Sequence, residues 1–320
     1  MQRAMRTLHA CSVESSNEHG RMIGAARSNR RPLSFWRRHP GLPFVAPTGV
    51  VLMVMLLFPL GYTLYLSLME WFAAGPPPHF VGFENYAALL GDERFLNAVV
   101  RTLIFTAIAV VVEVTLGIGL ALLFERRLVG RGVARTLFLL PMVATPVAIA
   151  LVWMLMFDPA TGVLNYLLTL VGLPPSLWVN DPWLAIPSLA LVDIWQWTPL
   201  VMLIVLGGLT ALPNEPFEAA LIDGASRWQV FRYLTLPLLR PYIAVAALFR
   251  SIDALKTFDP IFVITRGGPG FASETLNLYI YNMAFEYLHF GSSSAMLVVF
   301  FGIVLGFSVL LIGVRRRASA

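Results

Sequence analysis

Residues 294–314 have the sequence SAMLVVFFGIVLGFSVLLIGV, which contains no charged side chain. An α-helix rises about 1.5 Å per residue, so a run of this length spans a membrane hydrocarbon core of about 30 Å. Five other long stretches carry few charges and lie at about 44–68, 98–124, 134–157, 184–211 and 237–264. The sequence therefore predicts an all-α integral membrane protein with six transmembrane helices.

The composition of the whole chain supports this class. Of its 320 residues, 58% are hydrophobic and 13% are charged, whereas about 25% of residues are charged in an average soluble domain. Such a balance excludes most soluble enzymes, and the sequence contains no recognisable catalytic motif. The single cysteine, Cys11, excludes an intramolecular disulfide, and the five scattered histidines predict no metal site.

The positive charges are concentrated on one side of the predicted six-helix topology. Most of the 23 lysines and arginines lie before the first span, in the connections at 125–135 and 212–241, or after the last span. By the positive-inside rule, both termini are expected in the cytoplasm. Topology thus explains the net charge of +5, and no nucleic-acid partner is predicted. Residues 1–40 are expected to be a basic, disordered cytoplasmic tail, and 41–317 the transmembrane domain.

The polar interruption between the fourth and fifth predicted spans contains an informative local pattern. Residues 212–231 are LPNEPFEAALIDGASRWQVF. Asn214 is placed to cap a short helix at about 215–223, and Gly224 is placed to end it in a left-handed conformation. Ser226 and Gln229 have the spacing of a capping box that starts a second helix. Such a hairpin suits either the lipid headgroup surface or a groove on a partner protein.

The order and spacing of this segment resemble the signature loop of inner-membrane permeases of ABC importers. The matching residues are Glu218-Ala219-Ala220, Asp223-Gly224-Ala225 and Leu234-Thr235-Leu236-Pro237. A second block resembles the fifth span and outer loop of the carbohydrate, maltose-type branch, with Phe258-Asp259-Pro260-Ile261, Thr265-Arg266-Gly267-Gly268-Pro269 and Tyr279-Ile280-Tyr281. The resemblance covers about residues 40–315.

The resemblance implies a multi-pass transport subunit of the bacterial inner membrane rather than an enzyme. It implies that the loop at about 212–236 carries a coupling helix seated in a cleft of a cytoplasmic ATPase, with that role falling on Glu218, Ala219, Ala220, Asp223 and Gly224. The implied partners are a second homologous permease, two ATPase subunits that bind ATP and magnesium, and an extracytoplasmic protein that delivers a sugar or sugar-like solute. The chain has no Gly-x-x-x-x-Gly-Lys-Ser/Thr phosphate loop, so no cofactor is expected on it.

Ionisable residues inside the predicted spans indicate a site. A charge inside a bilayer costs about 2.5–3.5 kcal/mol on insertion scales, so it needs a partner, a wet cavity or a function. By helix rise, Asp193 lies roughly 14 Å from the outer end of its span and Asp253 roughly 18 Å from the inner end of the next. Sugars are bound by planar polar groups and by aromatic faces. The predicted substrate pathway therefore contains Asp193, Trp195, Gln196, Trp197, Asp253, Lys256 and Phe258.

Other roles for these residues remain open. Asp253 can simply neutralise Arg250 or Lys256 along one helix, and tryptophans can pack in the bundle or at the membrane interface. Glu113, in the middle of the second span, is expected to pair with a span of another subunit. The alternative function is an autonomous secondary carrier or channel, in which Asp193, Asp253 and Lys256 couple ions directly.

Overall fold

A computed structural model of the chain describes residues 42–126 and 129–318. The predicted basic tail at 1–40 lies outside the described residues. The chain divides into two compact units, the first ending at Leu60 and the second beginning at Gly61. The boundary falls within helix α1 (Leu42–Ser67), an apolar helix that contains Pro47 and Pro59.

The second unit is mostly helical in its described part. Its one small sheet is the antiparallel hairpin of β1 (Met69–Glu70) and β2 (His79–Phe80), with Met69 opposite Phe80. The helices that follow are α2 (Glu84–Gly91), α3 (Glu93–Glu125), α4 (Arg131–Val143), α5 (Pro146–Met156), α6 (Val163–Leu170), α7 (Ala185–Thr210), α8 (Glu215–Ile222), α9 (Arg227–Val230), α10 (Leu236–Leu255), α11 (Asp259–Ile264), α12 (Leu276–Tyr281) and α13 (Phe290–Ala318). A 3-10 turn (Trp178–Asn180) precedes α7, and π turns (Phe231–Thr235 and Asn282–Glu286) precede α10 and follow α12.

Four described helices are long and apolar enough to cross a membrane. They are Val45–Ser67, Glu93–Glu125, Ala185–Thr210 and Phe290–Gly313, and they overlap the predicted spans at 44–68, 98–124, 184–211 and 294–314. The pair α4 and α5 passes the same test together but is bent by 97°, so it adds at most a fifth span. The described chain is therefore a helical protein with four or five candidate spans.

Two of the predicted spans are interrupted in the structure. The stretch 134–157 is divided between α4 and α5 at Thr145, which precedes Pro146 and adopts the extended conformation that a following proline favours. The stretch 237–264 is divided between α10 and α11, with a break at 256–258. Pro260 lies in the first turn of α11, where its missing N–H leaves no helical hydrogen bond unmade.

Helices α3 and α7 pack closely within the second unit. Their contact includes Phe124, Val201 and Val205, which belong to one buried apolar cluster. Gly117 on α3 permits the close approach, because a Cβ atom at this position would lie 2.5 Å from Val201 Cγ1 and 2.7 Å from its Cβ. A glycine is therefore required at this helix crossing.

Replacing Gly117 with valine is expected to lower the free energy of unfolding by about 1–3 kcal/mol, because the new side chain overfills a packed interface. Thermal unfolding of the purified protein in detergent measures this loss. The matched control is Gly119→Val on the same helix, since a Cβ there meets no atom within 4 Å. Equal destabilisation by both variants would show that helix propensity, and not the contact with Val201, is responsible.

Candidate functional site

A buried arginine joins three helices in the interior of the second unit. Arg250 on α10 donates from Nε to Glu113 Oε2 at 2.6 Å and from Nη2 to Glu113 Oε1 at 3.1 Å. Nη2 also donates to Asp193 Oδ2 at 2.7 Å, and Nη1 donates to Asp253 Oδ2 at 2.6 Å. The guanidinium therefore ties α10 to α3 through Glu113 and to α7 through Asp193. We call these four residues the Arg250 cluster.

The members of the Arg250 cluster differ in exposure. The side chains of Glu113 and Asp193 are 0% and 3% exposed, whereas that of Asp253 is 52% exposed. The indole of Trp197 lies under the guanidinium, with its ring centroid 5.2 Å from Arg250 Cζ, a cation–π geometry. Glu113 and Asp193 thus hold the arginine in place, whereas the carboxylate of Asp253 remains accessible on the exposed side of α10.

The structure brings only part of the predicted substrate pathway together. Asp193, Trp197 and Asp253 meet at Arg250, and the proposed pairing of Asp253 with Arg250 along one helix is present. No described residue forms an ion pair with Lys256, which is exposed.

The remaining pathway residues lie elsewhere. Gln196 is buried and donates to the carbonyl of Ala144, in the break between α4 and α5, at 3.4 Å. Trp195 is 44% exposed and lies in an apolar groove, edge-on to Trp153 with ring centroids 5.7 Å apart. Phe258 belongs to an aromatic group beyond the end of α10. Because Gln196 is buried, its side chain is not accessible to a solute in this structure.

The expectation that Glu113 pairs with another subunit is wrong. Its carboxylate is bound by Arg250 of the same chain. Sequence reasoning paired Arg250 only with its neighbours on the same helix, because the adjacency of α3 and α10 is a tertiary feature. Charge balance in the sequence could have indicated the pair. Glu113 and Asp193 are acids in apolar spans, and Arg250 is a basic residue in another span that can neutralise them.

The predicted hairpin at 212–236 is present in its main features. Helix α8 begins after Asn214, although the Asn214 side chain makes no capping hydrogen bond. Gly224 has φ +72° and ends the helix in the predicted left-handed conformation. The predicted capping box is confirmed, because Gln229 N–H donates to Ser226 Oγ and Ser226 N–H donates to Gln229 Oε1. A π turn then continues α9 directly into α10.

Helix α8 has no buried residue among its eight. Leu221 and Ile222 are 70% and 87% exposed, and Glu218 is exposed beside them. Behind the helix lies a cavity of about 640 Å³, whose walls include Phe217 and Trp228. Exposed apolar side chains flanked by acids are typical of a surface that binds another macromolecule.

A second ionic network joins the start of α3 to the segment after α11. Arg94 donates from Nε and Nη2 to the two carboxylate oxygens of Glu274, both at 2.7 Å, and its guanidinium lies 4.1 Å from the Phe271 ring centroid. Asp92 caps α3 and accepts a hydrogen bond from Tyr279 Oη at 2.7 Å. Burial and this hydrogen bond raise the pKa of the Tyr279 phenol. This network was not predicted, because Arg94 and Glu274 are 180 residues apart in the chain.

The Arg250 cluster and the exposed hairpin both lie within one recognised sequence family. The family model described as the inner membrane component of binding-protein-dependent transport systems matches residues 113–317, from Glu113 to the last helix. The chain belongs to this family of ABC importer permeases. As a permease subunit it is not an enzyme, and ATP hydrolysis in such systems lies in separate subunits.

Individual relatives of this permease cover most of its length. It is 41% identical over 271 residues to a probable ABC transporter permease of Sinorhizobium fredii, covering 84% of this chain and 87% of that protein. It is 36% identical over 279 residues to the trehalose/maltose transport system permease of Thermococcus litoralis, covering 86% and 93%. The predicted membership of the ABC permease family is thereby confirmed.

A solved structure shows that this permease has a known fold. A chain of a bacterial alginate ABC transporter, solved in complex with an alginate pentasaccharide-bound periplasmic protein, superposes with a TM-score of 0.78 at 22% identity. The match covers 90% of this permease and 98% of that chain. The similarity at this level of identity establishes the fold.

Proposed function

We propose that this permease is one half of the pore of an ATP-driven importer that carries a sugar or sugar-like solute across the bacterial inner membrane. The observation that carries the proposal is the match to the trehalose/maltose permease over 86% of this chain. A further relative, the sulfoquinovosyl glycerol transport system permease of Agrobacterium fabrum, is 35% identical over 261 residues, covering 81% of this chain and 84% of that protein. Both relatives are named for carbohydrate solutes.

The proposed topology has six spans with both termini in the cytoplasm. Helices α4 and α5 together form the third span, and α10 with α11 forms the fifth. The pairing of Arg250 with Glu113 and Asp193 supports the fifth span, because charges that bind one another lower the cost of lying within a bilayer. The segments at 69–97, 158–183 and 265–293 then face outward, where an extracytoplasmic binding protein docks.

The proposed contact with the ATPase is the segment Glu218–Gly224. Exposure of Glu218, Leu221 and Ile222 supports this role, because a docking helix needs apolar contact area and a charge to fix its register. The ATPase, the second homologous permease and the binding protein are separate chains. ATP and magnesium belong to the two ATPase subunits.

The proposed transport step transmits motion from this segment to the Arg250 cluster. Helix α9 continues through a π turn into α10, so displacement of the hairpin moves the helix that carries Arg250. ATP binding brings the coupling helices of the two permeases together and converts the spans from inward-facing to outward-facing. The solute then enters from the binding protein, passes the exposed face of Asp253, and leaves to the cytoplasm after hydrolysis.

Affinity purification from solubilised native membranes tests the proposal. Wild-type permease is expected to bring down an ATPase, a second permease and a binding protein. Glu218→Lys is expected to lower recovery of the ATPase by at least about tenfold, because reversing a charge at a docked surface costs several kcal/mol. Mass spectrometry of the bound fraction measures this.

Glu215→Lys is the matched control, because Glu215 is an exposed acid in the first turn of the same helix. It is expected to retain the ATPase. Equal recovery of the ATPase by wild type, Glu218→Lys and Glu215→Lys would overturn the coupling role of Glu218. Recovery of wild type without any ATPase would overturn the proposed importer and favour an autonomous carrier.

A further inference from the structure

A cavity of about 490 Å³ lies beyond the C-terminal end of α10, apart from the Arg250 cluster. Its walls come from Phe258 after the helix break, from α12 and its π turn, and from the first turns of α13. Its lining includes Phe258, Asn277, Tyr281, Phe285, Phe290 and Ser294. This volume is within the range of about 300–1,000 Å³ usual for small-molecule sites.

One wall of the cavity is a continuous set of aromatic rings. The ring centroid of Tyr281 lies 5.1 Å from that of Phe258 and 5.1 Å from that of Phe285. The ring of Phe262, which does not line the cavity, stacks on Phe258 with centroids 5.2 Å apart. Phe285 is 66% exposed, so a ring face is available to a ligand.

Polar groups lie in the same cavity. Asn277 Nδ2 donates to the carbonyl of Lys256 at 2.8 Å, which fixes the amide while no described group donates to its oxygen. The hydroxyl of Ser294 has no hydrogen-bond partner among the described residues, although the residue is only 9% exposed. The cavity thus offers an amide oxygen and a hydroxyl beside the aromatic wall.

The backbone around the cavity is irregular. Phe285 is carried by the π turn Asn282–Glu286, an element often found at functional sites. Leu288, just before α13, has φ +59°, a left-handed conformation that costs a non-glycine residue free energy. Both irregularities place aromatic residues, Phe285 and Phe290, on the cavity wall.

We propose that this cavity binds one uncharged sugar ring of the transported solute, as a subsite separate from the Arg250 cluster. The inference rests on the proposed function. The aromatic wall stacks on the apolar C–H face of a sugar ring, and Asn277 and Ser294 bind its hydroxyl groups. A lipid chain would instead leave the Ser294 hydroxyl buried without a partner, which is unfavourable.

The lining also determines the charge of the ligand. No charged side chain is among the described residues that line the cavity. A neutral sugar needs no counter-ion, whereas an acidic sugar would be desolvated without one. Phe258 follows Asp253 by five residues along the chain, so the subsite lies next to the exposed end of the proposed solute path.

Site-specific cysteine modification tests the subsite in the complete importer. The chain has a single cysteine, so Cys11→Ser provides a background in which Ser294→Cys carries the only thiol of this chain. Maltose and trehalose are the probes. Each transported probe is expected to slow modification of Ser294→Cys by a small hydrophilic methanethiosulfonate about threefold at twice its dissociation constant. Val129→Cys, at an exposed position outside both the cavity and the proposed docking segments, is the control and is expected to react at an unchanged rate.

A second variant tests the aromatic wall. Phe285→Ala is expected to raise the sugar concentration that gives half-maximal protection of Ser294→Cys by about fivefold to tenfold, because the stacking face is removed. Phe301→Ala is the matched control, since Phe301 is 51% exposed on α13 and does not line the cavity. Its protection curve is expected to coincide with that of the parent protein.

Uptake of the labelled sugars by membrane vesicles distinguishes failure of the proposed subsite from failure of the proposed carbohydrate transport. Uptake by wild type without protection of Ser294→Cys, or without any modification of that cysteine, would overturn the subsite and leave the proposed function standing. Absence of uptake of both sugars would overturn the proposed carbohydrate function and the subsite with it. Uptake together with protection supports both.

Discussion

Replacing Arg250 with alanine is expected to prevent the permease from accumulating as a folded protein. The variant leaves Glu113 and Asp193 buried without their counter-ion. Removing one partner of a buried ion pair costs about 3–5 kcal/mol, and the total stability of a protein is only about 5–15 kcal/mol. The yield of monodisperse protein and its thermal unfolding temperature measure the effect.

Two further variants make this prediction specific. Arg240→Ala removes an exposed arginine from the same helix and is expected to change stability by less than about 0.5 kcal/mol. Arg250→Met combined with Glu113→Gln and Asp193→Asn removes the buried charges together, and it is expected to recover much of the folded yield. Wild-type stability of Arg250→Ala would show that the three carboxylates do not depend on this arginine.

The second large effect is expected from Arg94→Ala at the other end of α3. Glu274 is 1% exposed and would lose its two hydrogen bonds from Arg94, keeping only the one that Asn282 Nδ2 donates to Oε1. The segment 265–293 is therefore expected to be destabilised by about 3 kcal/mol. Its amides should exchange with solvent roughly a hundredfold faster than in wild type, because each 1.4 kcal/mol corresponds to a factor of about ten. Hydrogen–deuterium exchange with mass spectrometry measures the local change.

Arg101→Ala is the control for this second prediction. Arg101 lies on the same helix but donates to the neutral side chain of Asn97 at 3.2 Å, so its loss is expected to cost about 1 kcal/mol. If both variants leave the exchange of residues 265–293 unchanged, the Arg94–Glu274 pair does not hold that segment in place.

Local patterns in the sequence predicted local structure well. The charge-free run at 294–314 lies within α13, and Ser226, Gln229 and Gly224 adopt the capping and left-handed geometries that their types favour. The interruptions at Thr145 and at 256–258 were not predicted. The stretch around Thr145 is apolar, so hydropathy gives no sign of that break, whereas the following Pro146 does. The break at 256–258 contains Lys256 and is followed by Asp259 and Pro260, so charge and proline both mark it.

The candidate site was predictable only in part. Helix rise placed Asp193 and Asp253 at similar depths, and in the structure both bind Arg250. Glu113 was assigned to the wrong partner because the sequence does not specify which spans are neighbours. Which side chains of α7 are buried, such as Gln196, and which are exposed, such as Trp195, depends on the rotation of the helix about its axis. The sequence of an apolar helix with weak amphipathicity does not determine that rotation.

The Arg250 cluster also constrains how this permease can evolve. Its members come from three helices, and substitution of Arg250 leaves two buried carboxylates without a counter-ion, whereas loss of one carboxylate leaves the arginine paired with the other. Such residues show strong epistasis, because the effect of each change depends on the state of the rest. A lineage that loses Arg250 first passes through an unstable intermediate, so the arginine is expected to be the last member of the cluster to change.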